Sequence, residues 1–220
     1  MNILDIKEIF AGQFEARKPM IKSIYVDAVA HKRGIINIAK YYQPDYDIAV
    51  NGLKSLFNDL FLYFIGSEDS TLNLSKGILL VGNPGSGKTL IMTIFKNYAI
   101  YNGVNTFQFH DVKTLVKDAE INGIKAIEKF GTTNDYPITC LLDDIGAKNE
   151  SVNNYGTTFN VVDELISMRY LVYTKCRKLT HFTSNIYPAE IETLYGARAA
   201  SRLAEMCNII ELTGIDFRKK

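Results

Sequence analysis

The sequence predicts an α/β fold, a parallel sheet with helices on both faces, and three observations carry that expectation. From Gly77 onward short apolar runs alternate with amphipathic segments, the pattern of repeated strand–helix–strand units. The first run, Ile78-Leu79-Leu80-Val81, leads straight into the glycine-rich stretch Gly82-Asn83-Pro84-Gly85-Ser86-Gly87-Lys88-Thr89, which opens an amphipathic helix. Another run, Ile138-Thr139-Cys140-Leu141-Leu142, ends in Asp143-Asp144, and ligands of open parallel sheets bind where strands end.

At the N-terminus, Ile3, Ile6, Phe10 and Phe14 share one helical face until Lys18-Pro19 breaks the pattern, which predicts a short amphipathic helix. The stretch through Gly34 has no clear period. Pro44-Asp45 reads as a helix start, with Ile48, Leu53, Leu56, Leu60 and Phe64 as the apolar face and an end near Gly66. Residues 1–45 are therefore expected to form a helical N-terminal extension, a candidate for partner binding, and residues 46–220 the main domain. Strands are expected over Ile78–Val81, Thr106–Phe109, Ile138–Asp143, Leu179–Ser184 and Asn208–Leu212. Between them, Ile91, Ile94, Phe95 and Tyr98 form one helix face, closed by Asn102-Gly103, and Phe159, Val162, Ile166 and Tyr170 form another.

Composition narrows the function classes. Nearly half of the 220 residues are apolar (47%), enough for a sizeable core, and the 25 basic and 24 acidic residues nearly cancel. That balance neither predicts indiscriminate nucleic-acid binding nor excludes a local basic patch. Cys140, Cys176 and Cys207 are odd in number and lack metal-ligand spacing, which argues against a disulfide framework or a zinc site and for a reducing, cytoplasmic setting. Asp5 and Glu8 interrupt any secretory signal, and the apolar run Leu53 to Ile65 contains Asn58 and Asp59, so no membrane span is expected.

The glycine-rich stretch matches G-x-x-x-x-G-K-[ST], in which glycines curl the backbone so that several amide N–H groups face one phosphate chain. The helix that follows adds the positive end of its dipole. ATP is expected to contact Gly82, Asn83, Pro84, Gly85, Ser86, Gly87, Lys88, Thr89 and Leu90. Lys88 would place its ammonium against the β- and γ-phosphates, and the Thr89 hydroxyl would ligate Mg2+. Asp143 is expected to hold the same ion through water, and Asp144 to orient or deprotonate the attacking water. Asn185, after the run Leu179–Ser184, has two readings: a hydrogen bond to the γ-phosphate or lytic water, or an Asx turn before Pro188. Arg198 and Arg202, four apart on one helix face, read either as solvated arginines or as carriers of an arginine finger. His31, His110 and His181 share no ligand spacing and read as packing or surface residues. Tyr41 to Tyr46 is the candidate for the adenine side of the site.

Taken in order, Gly82–Thr89, Leu141-Leu142-Asp143-Asp144-Ile145-Gly146, Glu164 to Tyr170, Thr183-Ser184-Asn185, Arg198 with Ser201-Arg202-Leu203, and Asp216-Phe217-Arg218 resemble the DnaC/IstB-like branch of the AAA+ ATPases. This branch contains bacterial replicative helicase loaders and transposition accessory ATPases. The resemblance covers about residues 75 to 218. It implies a P-loop three-layer fold with sheet order 5-1-4-3-2 and no C-terminal lid, Asn185 as the sensor of the γ-phosphate, Arg202 as an arginine finger acting in trans, and Arg218 as a second arginine sensor. It also implies an ATPase that assembles with itself, binds single-stranded DNA and acts on a replicative helicase in DNA replication. The alternative is an ATP-gated adaptor for a transposase or other mobile-element enzyme. Because Asp144 reaches less far than the glutamate common in AAA+ relatives, turnover is expected to be slow until a partner or DNA closes the site.

Overall fold

A computed structural model gives the fold and describes residues 21, 23–49, 53–131, 138–147 and 150–212. The N-terminal face of Ile3, Ile6, Phe10 and Phe14 and the C-terminal Asp216-Phe217-Arg218 lie outside the described residues. Among the described residues two helices come first, α1 (Ala28–Tyr42) and α2 (Leu53–Phe64). They are followed by β1 (Gly77–Gly82), α3 (Lys88–Tyr101), β2 (Gln108–Asp111), α4 (Val112–Asn122), β3 (Cys140–Ile145), β4 (Ser151–Asn154) and β5 (Thr157–Asn160). The described chain closes with α5 (Val161–Cys176), β6 (Thr180–Ser184), α6 (Pro188–Met206) and β7 (Cys207–Leu212).

The main sheet has the order β2-β3-β6-β1-β7, with every neighbouring pair parallel. Numbered among themselves in chain order, these strands run 2-3-4-1-5, which is 5-1-4-3-2 from the other edge. The departure from the expected plan is the antiparallel hairpin β4–β5, inserted between the third and fourth sheet strands. Its turn, Tyr155-Gly156, has positive φ at both residues (48° and 84°), the geometry that joins two strands in the fewest residues. All residues of β1 and β6 are buried, as strands covered on both faces must be.

Four boundaries differ from expectation. Pro44-Asp45 forms a turn rather than a helix start, and α2 begins at Leu53. The helix upstream, α1, starts instead behind Asp27, whose carboxylate accepts from the Val29 and Ala30 N–H groups. Strand β2 begins at Gln108, because Phe107 turns into the core against Phe64 and His181 before pairing starts. Strand β3 spans Cys140–Ile145 instead of Ile138–Asp143, because Asp144 adopts a left-handed conformation (φ 67°) and the register with β6 shifts between Leu142 and Ile145. The ladder thus resumes beyond the acids and leaves them at a bulge.

Helix α2 ends before Gly66 as expected and buries Leu53, Phe57, Leu60, Phe61 and Phe64. Phe64 stacks on Phe95 of α3 at 5.2 Å and on Phe107 at 5.9 Å, and Phe107 meets His181 of β6 at 4.8 Å. Each such ring, fully buried, contributes about 1.5–3 kcal/mol, so this aromatic column is a principal tie between α2 and the sheet. Helix α1 lies along α3, where His31 Nδ1 and the Tyr98 hydroxyl are 2.9 Å apart. His181 is 1% exposed, and its Nδ1 accepts the Ile78 N–H at 3.1 Å. Burial, with the Arg169 charge adding to it, pushes its pKa down to about 3, so it packs as a neutral ring.

Candidate nucleotide site

Strand β1 delivers the chain into the loop at Gly82, and Gly85 and Gly87 both take φ of 85°, which side-chain-bearing residues rarely adopt. That curl starts α3 at Lys88 and turns the first helical N–H groups toward an open cleft of about 830 Å³. The cleft is walled by the loop, by Asp111 and Lys113, by Asp143 and Asp144, by Asn185, and by Tyr42 and Gln43 at the end of α1. Leu90 lines it too.

Lys88 is only 6% exposed, and its ammonium donates to Gly82 O (2.6 Å), Asn83 O (2.9 Å) and Asn185 Oδ1 (2.8 Å). The loop carbonyls and Asn185 thus hold the cation where a phosphate chain would lie. Asn185 also donates through its amide to Asp144 Oδ1 in a short bond. Its side chain therefore bridges cation and carboxylate.

Beside it, the Thr89 hydroxyl lies 3.0 Å from both carboxylate oxygens of Asp143. The Thr183 hydroxyl donates to Asp143 Oδ1 at 2.7 Å and accepts the Asp144 N–H at 2.8 Å. Burial pushes the Asp143 carboxyl up from its ordinary value, while the Thr183 and Thr89 hydroxyls pull it back. A buried carboxylate beside a hydroxyl, facing a cleft that would supply phosphate oxygens and water, is the all-oxygen donor set that suits Mg2+. Among the described residues there is no group of three or more His, Cys, Asp or Glu that could hold a metal ion.

Asp144 sits at the cleft edge. Its Oδ2 pairs with the Lys113 ammonium at 2.6 Å, and that contact holds the lysine above its ordinary pKa. Lys113 and Thr183 are absent from the residues singled out by spacing. Lys113 lies at the start of α4, brought beside β3 by the parallel pairing of β2 with β3, and no local pattern marks it. Thr183 stands in the run Leu179–Ser184, and its place in Thr183-Ser184-Asn185, which carries the family resemblance, is the signal the sequence offers.

Arg198 and Arg202 lie on α6 and are not among the residues lining the cleft. Arg202 donates to Ser167 Oγ at 2.5 Å and lies over the Tyr170 ring, 5.2 Å from its centre. Arg218 lies outside the described residues. The described cysteines are free thiols, and among the described residues no helix is long and apolar enough to cross a membrane.

Comparison with curated proteins finds no match. The crystal structure of DnaI is similar in fold, with a TM-score of 0.57 and 20% identity, covering 80% of this chain and 89% of that one. A Streptococcus pyogenes serotype M3 protein assigned to the primosome gives a TM-score of 0.53 at 20% identity, covering 78% of this chain and 85% of that one. The family model for IstB-like ATP binding proteins matches residues 69–220, the whole span that builds the cleft from β1 onward. The chain belongs to the family of IstB-like ATP binding proteins.

Proposed function

We propose that this protein hydrolyses ATP with Mg2+ and works in DNA replication as a helicase loader, assembling with itself and holding single-stranded DNA in its ATP state. The observation that carries this reading is the joining of Lys88, Asn185 and Asp144 by direct hydrogen bonds at one cleft, beside the Thr89–Asp143 pair. A site that only binds nucleotide needs the first and last of these; a carboxylate and an amide converging on the γ-phosphate side add what hydrolysis requires. Similarity in fold to a protein assigned to the primosome supports the replication role.

Gly82 to Leu90 would envelop the phosphates, with Lys88 against the β- and γ-phosphates. Bound Mg2+, held by Thr89 and Asp143, would neutralise phosphate charge. Asp144 would orient the attacking water and accept its proton, and Asn185 would hydrogen-bond the γ-phosphate. Tyr42 and Gln43 would flank the adenine. Arg202 would complete a neighbouring subunit's site and Arg218 would act as a second arginine sensor. The engagement of Asp144 by both Lys113 and Asn185 supports slow basal turnover, because both partners compete with water for the carboxylate. The extension over residues 1–45 is the partner-binding candidate, and the cytoplasm, where thiols stay reduced, is the setting.

Fluorescence anisotropy with single-stranded and duplex DNA, with ATP or ADP, together with co-sedimentation with a hexameric replicative helicase, tests the role. Single-strand retention with ATP and helicase capture is the expected result. Duplex preference with ATP and no helicase capture would overturn it in favour of a transposase adaptor.

A further inference from the structure

The turn after β3 is joined to α6 by side chains that do not line the nucleotide cleft. Glu150 and Tyr195 are 4% and 9% exposed. Glu150 Oε1 accepts the Gly146 and Ala147 N–H groups, both at 2.9 Å, and Glu150 Oε2 accepts a short bond from the Tyr195 hydroxyl. The Gly146 N–H donates to that hydroxyl as well, at 2.8 Å. The backbone two residues past Asp144 is thereby fastened directly to α6.

Helix α6 is not one rod. Gly196, immediately after Tyr195, has φ 85° and ψ 163°, which divides the helix into residues 188–195 and 197–206. No atom lies within 4 Å of where a Cβ at Gly196 would sit, so its backbone conformation, rather than lack of space, calls for glycine. The two halves are attached differently. The first is held by Tyr195 to the turn after β3; the second carries Arg198 and Arg202 and meets α5 through Ser167 and Tyr170 at its partly exposed surface.

We propose that the Glu150–Tyr195 contact is a positioning device that passes movement of the Asp143–Asp144 turn to α6, bending it at Gly196 and re-aiming Arg198 and Arg202. Breaking a buried carboxylate network costs more than rotating about one glycine, so displacement of the turn is resolved at Gly196 rather than at the contact. This inference rests on the nucleotide site proposed above, but does not require Arg202 to be the trans finger.

Hydrogen exchange of the full chain, with Mg2+ and a non-hydrolysable ATP analogue at a concentration where the protein is monomeric, tests it. Protection over residues 82–90 reports occupancy of the site, and residues 197–206 report the coupling. In the wild type both segments respond. In Tyr195→Phe, which removes one hydroxyl and keeps the ring, analogue affinity and the response over 82–90 are retained, while the response over 197–206 falls at least about fivefold. Glu150→Gln keeps an acceptor for the two N–H groups and offers a donor to the hydroxyl, so the distal response persists. Full retention of that response in Tyr195→Phe, or its absence in the wild type while 82–90 is protected, overturns the coupling. Absence of protection over 82–90 in the wild type overturns the nucleotide reading, and the coupling with it. Turnover of Arg202→Ala, measured separately, judges the finger.

Discussion

Replacing Thr183 by valine removes one oxygen and keeps the branched shape, so the effect reports the hydroxyl rather than a cavity. That hydroxyl is fully buried, donates to Asp143 at 2.7 Å and accepts the Asp144 N–H at 2.8 Å. Leaving the part-buried Asp144 N–H without its acceptor costs about 1 kcal/mol, and losing the buried hydrogen bond to the Asp143 carboxylate about 1.5–3 kcal/mol. Together they predict a stability loss of about 2.5–4 kcal/mol, read from the midpoint of a urea transition with unchanged slope. The site responds too. The hydroxyl also fixes the Asp143 carboxylate that would hold Mg2+, so its loss leaves that carboxylate less well placed for the ion. The Mg2+ concentration for half-maximal ATP-analogue binding rises at least about tenfold, which corresponds to the lower end of that 1.5–3 kcal/mol. A loss below about 1 kcal/mol with unchanged Mg2+ dependence would refute the idea that Thr183 ties the two acids together.

Three further outcomes follow from named contacts. His181 is neutral in the fold with its pKa pushed down to about 3, while the unfolded chain protonates it near its ordinary value, so its stabilising effect is full above about pH 6.5 and is lost as pH falls towards 3. By pH 5 this amounts to about 2 kcal/mol, and His181→Asn, which keeps an acceptor for the Ile78 N–H, flattens the pH–stability curve by that amount in urea titrations. Lys113→Ala leaves stability within about 1 kcal/mol, since the lysine side chain is 61% exposed, but raises basal ATP turnover several-fold by releasing Asp144 to water, measured by phosphate release. Arg169→Met strands the carbonyls of Phe130 and Ile138 together with the Thr180 hydroxyl, all acceptors of the buried guanidinium, while the Leu179 carbonyl keeps the Cys140 N–H, and lowers stability by about 3 kcal/mol, measured by urea unfolding.

How much of this was legible in the sequence depended on how local each feature is. The phosphate loop was readable because its demands fall on consecutive residues: Gly85 and Gly87 supply positive φ, and Lys88 and Thr89 stand at the start of one helix. Strand β3 was readable as a strand but misplaced by two residues, since the left-handed Asp144 is a bulge that apolar runs do not announce. Helix α1 escaped periodicity because it buries only Ile35 and Ala39, although its Asp27 cap was present in the sequence. The hairpin β4–β5 is short and mostly exposed, leaving little alternation to read, and Tyr155-Gly156 was its one cue. Contacts such as Lys113–Asp144 and Glu150–Tyr195 join residues far apart in the chain, and only the parallel sheet and the return of α6 bring them together.

ATP hydrolysis measured against protein concentration, with and without single-stranded DNA, for wild type, Lys88→Ala and Arg202→Ala tests the central claim most directly. Turnover per chain that rises with concentration, is abolished by both substitutions, and leaves Arg202→Ala able to bind nucleotide is the predicted result. Normal hydrolysis by Arg202→Ala, or turnover independent of concentration, would contradict the assembled-ATPase account.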